Sequence, residues 1–222
     1  PQGELHLQVR LQYGSQDDLK AVPDYGCFHG DSCCDTLCFL PLQLGWPGQP
    51  FAILETFLGK WAPGGILDRN AYLALVTIHG TIMVFFVLTG GLSGTFSNLQ
   101  WNQQIGARDM ASGFLNMLSY WFFLVSSLIM VFSLFVEGGA ASGGWTVYPP
   151  LSALPQAMPG SGTGMTLWLV AMVLFVVSSL LGGLNYIVTV INLRTKGMKM
   201  LRLPLTIWAF LITAILGVLS FP

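Results

Sequence analysis

The chain has 222 residues, of which 53% are hydrophobic and only 9% charged, with a formal net charge of −1. Mean hydropathy is +0.65. Soluble globular domains carry about 25% charged residues, so this composition excludes a disordered chain, a nucleic-acid binder of the basic-patch kind and an ordinary cytosolic enzyme, and leaves an integral membrane protein.

The first 41 positions are unlike the rest. They hold eight of the nineteen charged side chains and all four cysteines, Cys27, Cys33, Cys34 and Cys38, together with His6 and His29. The cysteines lack the pair-of-pairs spacing of a zinc site, and neither a metal site nor a disulfide framework is expected. Asp17, Asp18, Asp24, Asp31, Asp35 and Pro23 also stand there. A charge at a bilayer centre costs about 2.5–3.5 kcal/mol, so this segment as written is not expected to span. It should be irregular and lie outside the bundle.

Further along, charge vanishes in long runs: residues 71–107, 110–136, 138–193 and 203–222 carry none. A spanning helix needs about 20 apolar residues. Within these runs four spans are predicted, at about 71–97, 113–136, 165–192 and 204–221. Lipid cannot satisfy bare backbone groups, and barrel strands would alternate in polarity, so the spans are read as helices. The expected fold is an all-α polytopic membrane bundle.

The connections set its orientation. After the third span come Arg194, Lys196, Lys199 and Arg202 with no acid among them. Basic loops stay on the cytoplasmic side, and alternation puts the 98–112 connection, with Arg108 and Asp109, on that side too. The 137–164 connection has no Lys or Arg and is expected outside, its Trp145 and Tyr148 suiting an interfacial layer; Lys60 and Arg69 then also fall outside. The chain opens on Pro1 without an initiator Met and its last span stops at Pro222, so a piece of a longer chain is expected.

Hydroxyls apart, few ionisable or amide side chains enter the spans. His79 lies in the middle of Ala71–Thr89. It can be a histidine bonded to a neighbouring helix, or an axial metal ligand, since ionisable groups in lipid are commonly functional. Gly80, Gly90, Gly91 and Gly94 on the same segment would let a helix or a flat ring approach. Asp109 lies at the cytoplasmic mouth with Asn98 eleven residues before it and Asn116 seven after. Two helical turns would put Asp109 and Asn116 on one face. Ser178, Ser179 and Asn185 form another polar stripe with a seven-residue step. Such residues suit either inter-helix hydrogen bonds or a water-filled proton path, and composition does not decide between them.

The strings LQLGWPG, HGTIMVFFVLTGGLSGTFSN, QIGARDMASGFLNMLSYWFF, GGWTVYPPLS and SSLLGGLNYIVTVIN occur in this order from Leu42 to Asn192. They resemble subunit I of the haem–copper terminal oxidases, in the bacterial haem a-type branch. The resemblance implies a respiratory oxidase that passes electrons from cytochrome c or quinol to dioxygen and pumps protons across the bacterial inner membrane, in complex with subunits II and III. This chain would supply helices II to IV and most of V of the twelve-helix fold. His79 matches the axial ligand of the low-spin haem, and Tyr72 a tyrosine beside that haem. Asp109 matches the carboxylate at the mouth of the D proton channel, with Asn98 and Asn116 near it. Ser178, Ser179 and Asn185 match the channel's upper lining. Trp145 and Tyr148 match outer-loop aromatics near the haem propionates and subunit II.

The pattern also departs from the family. The high-spin haem ligand, the copper ligands and the second low-spin haem ligand belong to later helices, so no turnover is expected from these 222 residues alone. Gln100-Trp101-Asn102-Gln103 replaces a stretch that is apolar, with a proline, in relatives. Residues 1–41 do not match at all, whereas a reading shifted by one nucleotide can produce an apolar span running into LQLGW; this segment is therefore expected to be out of frame, leaving residues 42–222 as the oxidase part. Two alternatives remain: the nitric oxide reductase branch, which tends to lack the Asp109, Asn98 and Asn116 set, and a non-catalytic membrane bundle in which His79 is structural.

Overall fold

The computed structural model describes residues 40–136, 138–157 and 161–221. The expected out-of-frame segment and its cysteines lie outside the described residues, apart from positions 40 and 41. Every regular element among the described residues is helical: α1 (Ala52–Leu58), α2 (Arg69–Thr81), a π-helical stretch (Ile82–Ser93), α3 (Gly94–Ile105), α4 (Gly113–Phe132), α5 (Thr163–Asn192) and α6 (Leu205–Ser220). Three stretches are long and apolar enough to cross a membrane: Arg69–Gly91, Gly113–Phe135 and Thr163–Asn192. The chain is a multi-pass, all-α membrane protein.

Two expectations about the spans need correction. The 98–112 connection is not all loop, because helix runs on from Gly94 to Ile105. Its asparagines and glutamines are compatible with helix, and the helix stops only where Gly106 takes a φ of +69°. Both the backbone N–H and the hydroxyl of Thr195 then donate to the Ile105 carbonyl, at 3.1 and 2.6 Å, and so close the helix end. The fourth predicted span is also short. α6 has 16 residues, a length of about 24 Å at 1.5 Å per residue against a hydrocarbon core of about 30 Å.

The described residues fall into two compact units. One, the Asn185 unit, contains 89–126 and 172–221. Its core is Trp101, Ile105, Val190, Leu203, Ile207 and Leu211, with Tyr186 and Phe210 packed against it. Trp101 stacks on Tyr186 at 4.7 Å between ring centroids and lies 5.9 Å from Phe210. These rings join α3 to α5 and α6. Gly90 lies in the π-helical stretch, where the Phe123 ring packs against its bare Cα.

The other, the His79 unit, contains 40–88 and 127–171. α1 contributes Leu54 to a cluster with Leu40, Ala62, Leu67 and Leu75. Asp68 caps α2 by accepting the Asn70 N–H at 3.1 Å, and Gln43 accepts the Leu67 N–H at 3.2 Å. The start of α5 approaches the preceding loop so closely that Gly164 lies directly against the Gly139 carbonyl and the Ala140 backbone.

Candidate functional site

In the Asn185 unit, polar side chains on successive turns of α5 hold the loop that carries Asp109. Asn185 is completely buried. Its Oδ1 accepts the Ser112 N–H and its Nδ2 donates to the Ser112 carbonyl, both at 3.0 Å. One turn on, Thr189 accepts the Ala111 N–H at 3.0 Å while its own O–H returns to the Asn185 carbonyl at 2.6 Å. Ser112 in turn starts α4, its Oγ accepting the Leu115 N–H at 3.3 Å. A half-buried loop backbone would be costly unpaired, and here side chains of a spanning helix pair it.

Two further contacts complete this polar face. Ser119 on α4 and Ser178 on α5 are cross-bonded: each hydroxyl donates to the other's carbonyl, at 2.8 and 2.7 Å. On the side of α5 toward α3, the Tyr186 hydroxyl lies 2.7 Å from Ser97 Oγ and donates to Asn98 Oδ1 at 3.2 Å. From Thr189 to Ser178 the ladder rises about 16 Å along α5, from eleven residues at 1.5 Å each.

In the His79 unit, α2 is held by two threonines. Thr77 and Thr81 are buried, and each donates its hydroxyl to the carbonyl four residues back, at 2.8 Å. Their free lone pairs accept from outside the helix: Thr77 from the Gly144 N–H and Thr81 from Trp168 Nε1–H, both at 3.1 Å. At 3.6 residues per turn His79 lies roughly 160° round the helix from both threonines. The bonds that pin the threonine face thus aim His79 away from it. His79 is half-buried, and Val76 and Met83, three before and four after it, are exposed. A methyl group at Gly80 would meet no atom within 4 Å. One imidazole beside an open apolar face suits an axial ligand to a large flat ring. It does not suit a closed tetrahedral metal site, and no group of three or more His, Cys, Asp or Glu gathers among the described residues.

Residues 38–222 match the protein family described as cytochrome c and quinol oxidase polypeptide I. The chain belongs to that family. The alternative cytochrome c oxidase subunit 1 of Bradyrhizobium diazoefficiens is 41% identical over 181 residues, covering 82% of this chain and 28% of that protein. The quinol oxidase subunit 1 of Bacillus subtilis is 39% identical over 156 residues, covering 70% of this chain and 23% of that protein, and that of Bacillus spizizenii matches to the same extent. The chain therefore spans about a quarter of the length of the curated relatives it matches.

Against this oxidase background the expected site residues separate into those the fold brings together and those it does not. Asn98 and Asn185 are bonded partners of Tyr186 and Ser112 respectively, and Ser178 is bonded to Ser119. Ser179 turns its hydroxyl to the Phe175 carbonyl of its own helix at 3.0 Å. Asp109 is half-buried, and its Oδ1 accepts the Met110 N–H at 2.8 Å. It does not share a helical face with Asn116, because α4 begins only at Gly113. Ser112 is the helix cap that ended that periodicity, a signal present in the sequence. Tyr72 shares the His79 side of α2, yet it packs against the Leu54 and Leu75 cluster. Trp145 is exposed with its ring 6.0 Å from Phe85, and Tyr148 is exposed. Sequence reasoning missed Ser97, Tyr186, Ser119 and Thr189. The only signal for Tyr186 was a phenol inside the apolar run after Asn185.

Proposed function

We propose that this chain is part of the catalytic subunit of a respiratory terminal oxidase, which takes electrons from cytochrome c or quinol and reduces dioxygen to water while protons cross the bacterial inner membrane. The relatives carry both donor names, and the reading leans to cytochrome c with haem a. Subunits II and III would be its partners. Copper and the high-spin haem would be held by helices beyond these residues.

His79 would hold the low-spin haem iron through a neutral imidazole. Haem bound there would supply one-electron transfer. What the chain itself contributes is orientation. Thr77 and Thr81 fix the rotation of α2, so His79 and the apolar surface of Val76 and Met83 present one face to a planar group. Trp145 and Tyr148 would border that group at the outer end, with Tyr72 near it.

At the cytoplasmic mouth expected from the basic connections, Asp109 would take up protons. Its carboxylate sits on a short loop whose next residues are tied to α5 by Asn185 and Thr189. Asn98, Asn116, Ser178 and Ser179 would line the polar way inward, with protons moving along waters held by these groups. The clasp of Asn185 on Ser112 would keep that mouth in place.

The placement of His79 carries this reading. Its test is a reduced-minus-oxidised spectrum of the full-length subunit I carrying His79→Ala. Loss of the low-spin haem band is expected. An unchanged band would make the histidine structural and refute the assignment.

A further inference from the structure

Tyr186 has no part in the proposal above, yet it occupies the junction of its polar face. It follows Asn185 on α5, so roughly 100° of helical rotation turns it from the Asp109 loop toward α3. Its phenol O–H donates to Asn98 Oδ1 at 3.2 Å, and Ser97 Oγ lies 2.7 Å from the same oxygen. Ser97 is buried. A phenol has one proton to donate and lone pairs to accept with. With that proton on Asn98, the short contact is satisfied by the Ser97 O–H turning to the phenol oxygen at 2.7 Å rather than to the Gly94 carbonyl at 3.3 Å. The ring is held as well as the hydroxyl, since it stacks on fully buried Trp101 at an interplanar angle of 25°. Trp101 belongs to the Gln100-Trp101-Asn102-Gln103 stretch.

An asparagine amide presents different chemistry at its two ends. Binding Oδ1 to α5 leaves the NH₂ end to face the other way. We infer that Tyr186 is a positioning residue for proton uptake: its hydroxyl locks the Asn98 amide so that the NH₂ end, and not the oxygen, faces the path from Asp109. This inference rests on the proposed role of the Asp109 mouth. Tyr186 moves no electron and need not itself release its proton.

The test uses the full-length oxidase in proteoliposomes. Tyr186→Phe keeps the ring on Trp101 and removes only the hydroxyl. Losing one such hydrogen bond is expected to lower turnover about fivefold. The loss should deepen as pH rises and fewer protons reach the mouth. The low-spin haem band and the KM for the electron donor should stay unchanged. Asn98→Ala should cause a similar loss, and the double variant should show no further fall, because both remove one device. Additive losses, or a Tyr186→Phe enzyme with normal turnover at high pH, would overturn the inference. Asp109→Asn separates the two levels. If it leaves turnover normal, the proton-mouth reading falls and the inference with it; if it abolishes turnover while Tyr186→Phe does not change it, the inference alone falls. Should Tyr186→Phe fail to assemble haem, Ser97→Ala provides the same readout, with a loss of about twofold expected and none refuting it.

Discussion

The Asn185 unit and the His79 unit both join apolar helices, but by different means. In the first, side chains reach across to backbone: Asn185 to Ser112, Thr189 to Ala111, Ser119 and Ser178 to each other's carbonyls. In the second, α2 offers threonine lone pairs to a loop N–H and an indole, and α5 approaches the loop through bare Gly164. The difference follows from what each must hold. A loop next to a carboxylate has peptide groups, partly withdrawn from water, that need partners. A helix that presents one imidazole needs only its rotation set. Helices in lipid have little hydrophobic incentive to associate, so each unit relies on hydrogen bonds or close packing.

Breaking one polar clasp should therefore cost the first unit most. Asn185→Leu strands the N–H of Ser112 in a half-buried loop and leaves its carbonyl only the Asn116 N–H. A loss of about 3 kcal/mol is expected in the thermal unfolding of the detergent-solubilised subunit. A loss near zero would mean that water replaces the clasp. In the second unit the sensitive point is packing. Gly164→Ala drives a methyl into the Gly139 carbonyl and the Ala140 backbone, neither of which can yield as a flexible side chain would. About 2 kcal/mol of destabilisation is expected by the same assay, and an unaltered midpoint would show that the loop gives way. The finest comparison is the Ser119 and Ser178 pair. A double-mutant cycle with alanine at each should return a coupling of about 0.6 kcal/mol, the usual size in a membrane. A vanishing coupling would show that the two bonds act independently.

Much of this was legible in the residues. Charge-free runs located the three long spans, because a charge in hydrocarbon is expensive whatever the fold. The stripe of Ser178 and Asn185 was visible as a seven-residue step, and both prove buried. The face shared by Asp109 and Asn116 did not survive, since Ser112 starts a new helix between them. Nor did the sequence distinguish Ser97, Ser119, Thr77 and Thr81 from other hydroxyls. Serine and threonine fit any spanning helix by bonding their own backbone, and only the neighbour reveals which hydroxyl also reaches outward.

Composition and periodicity alone determined that this is a helical membrane protein, where its long spans run and which histidine lies inside one. Those features follow from the cost of placing charge and bare peptide in lipid, a property each segment has by itself. The tertiary structure decided which way His79 turns, what closes the loop after Asp109 and what Tyr186 holds. Those depend on residues 67 to 90 positions apart in the chain meeting at hydrogen-bond distance, which no local pattern encodes.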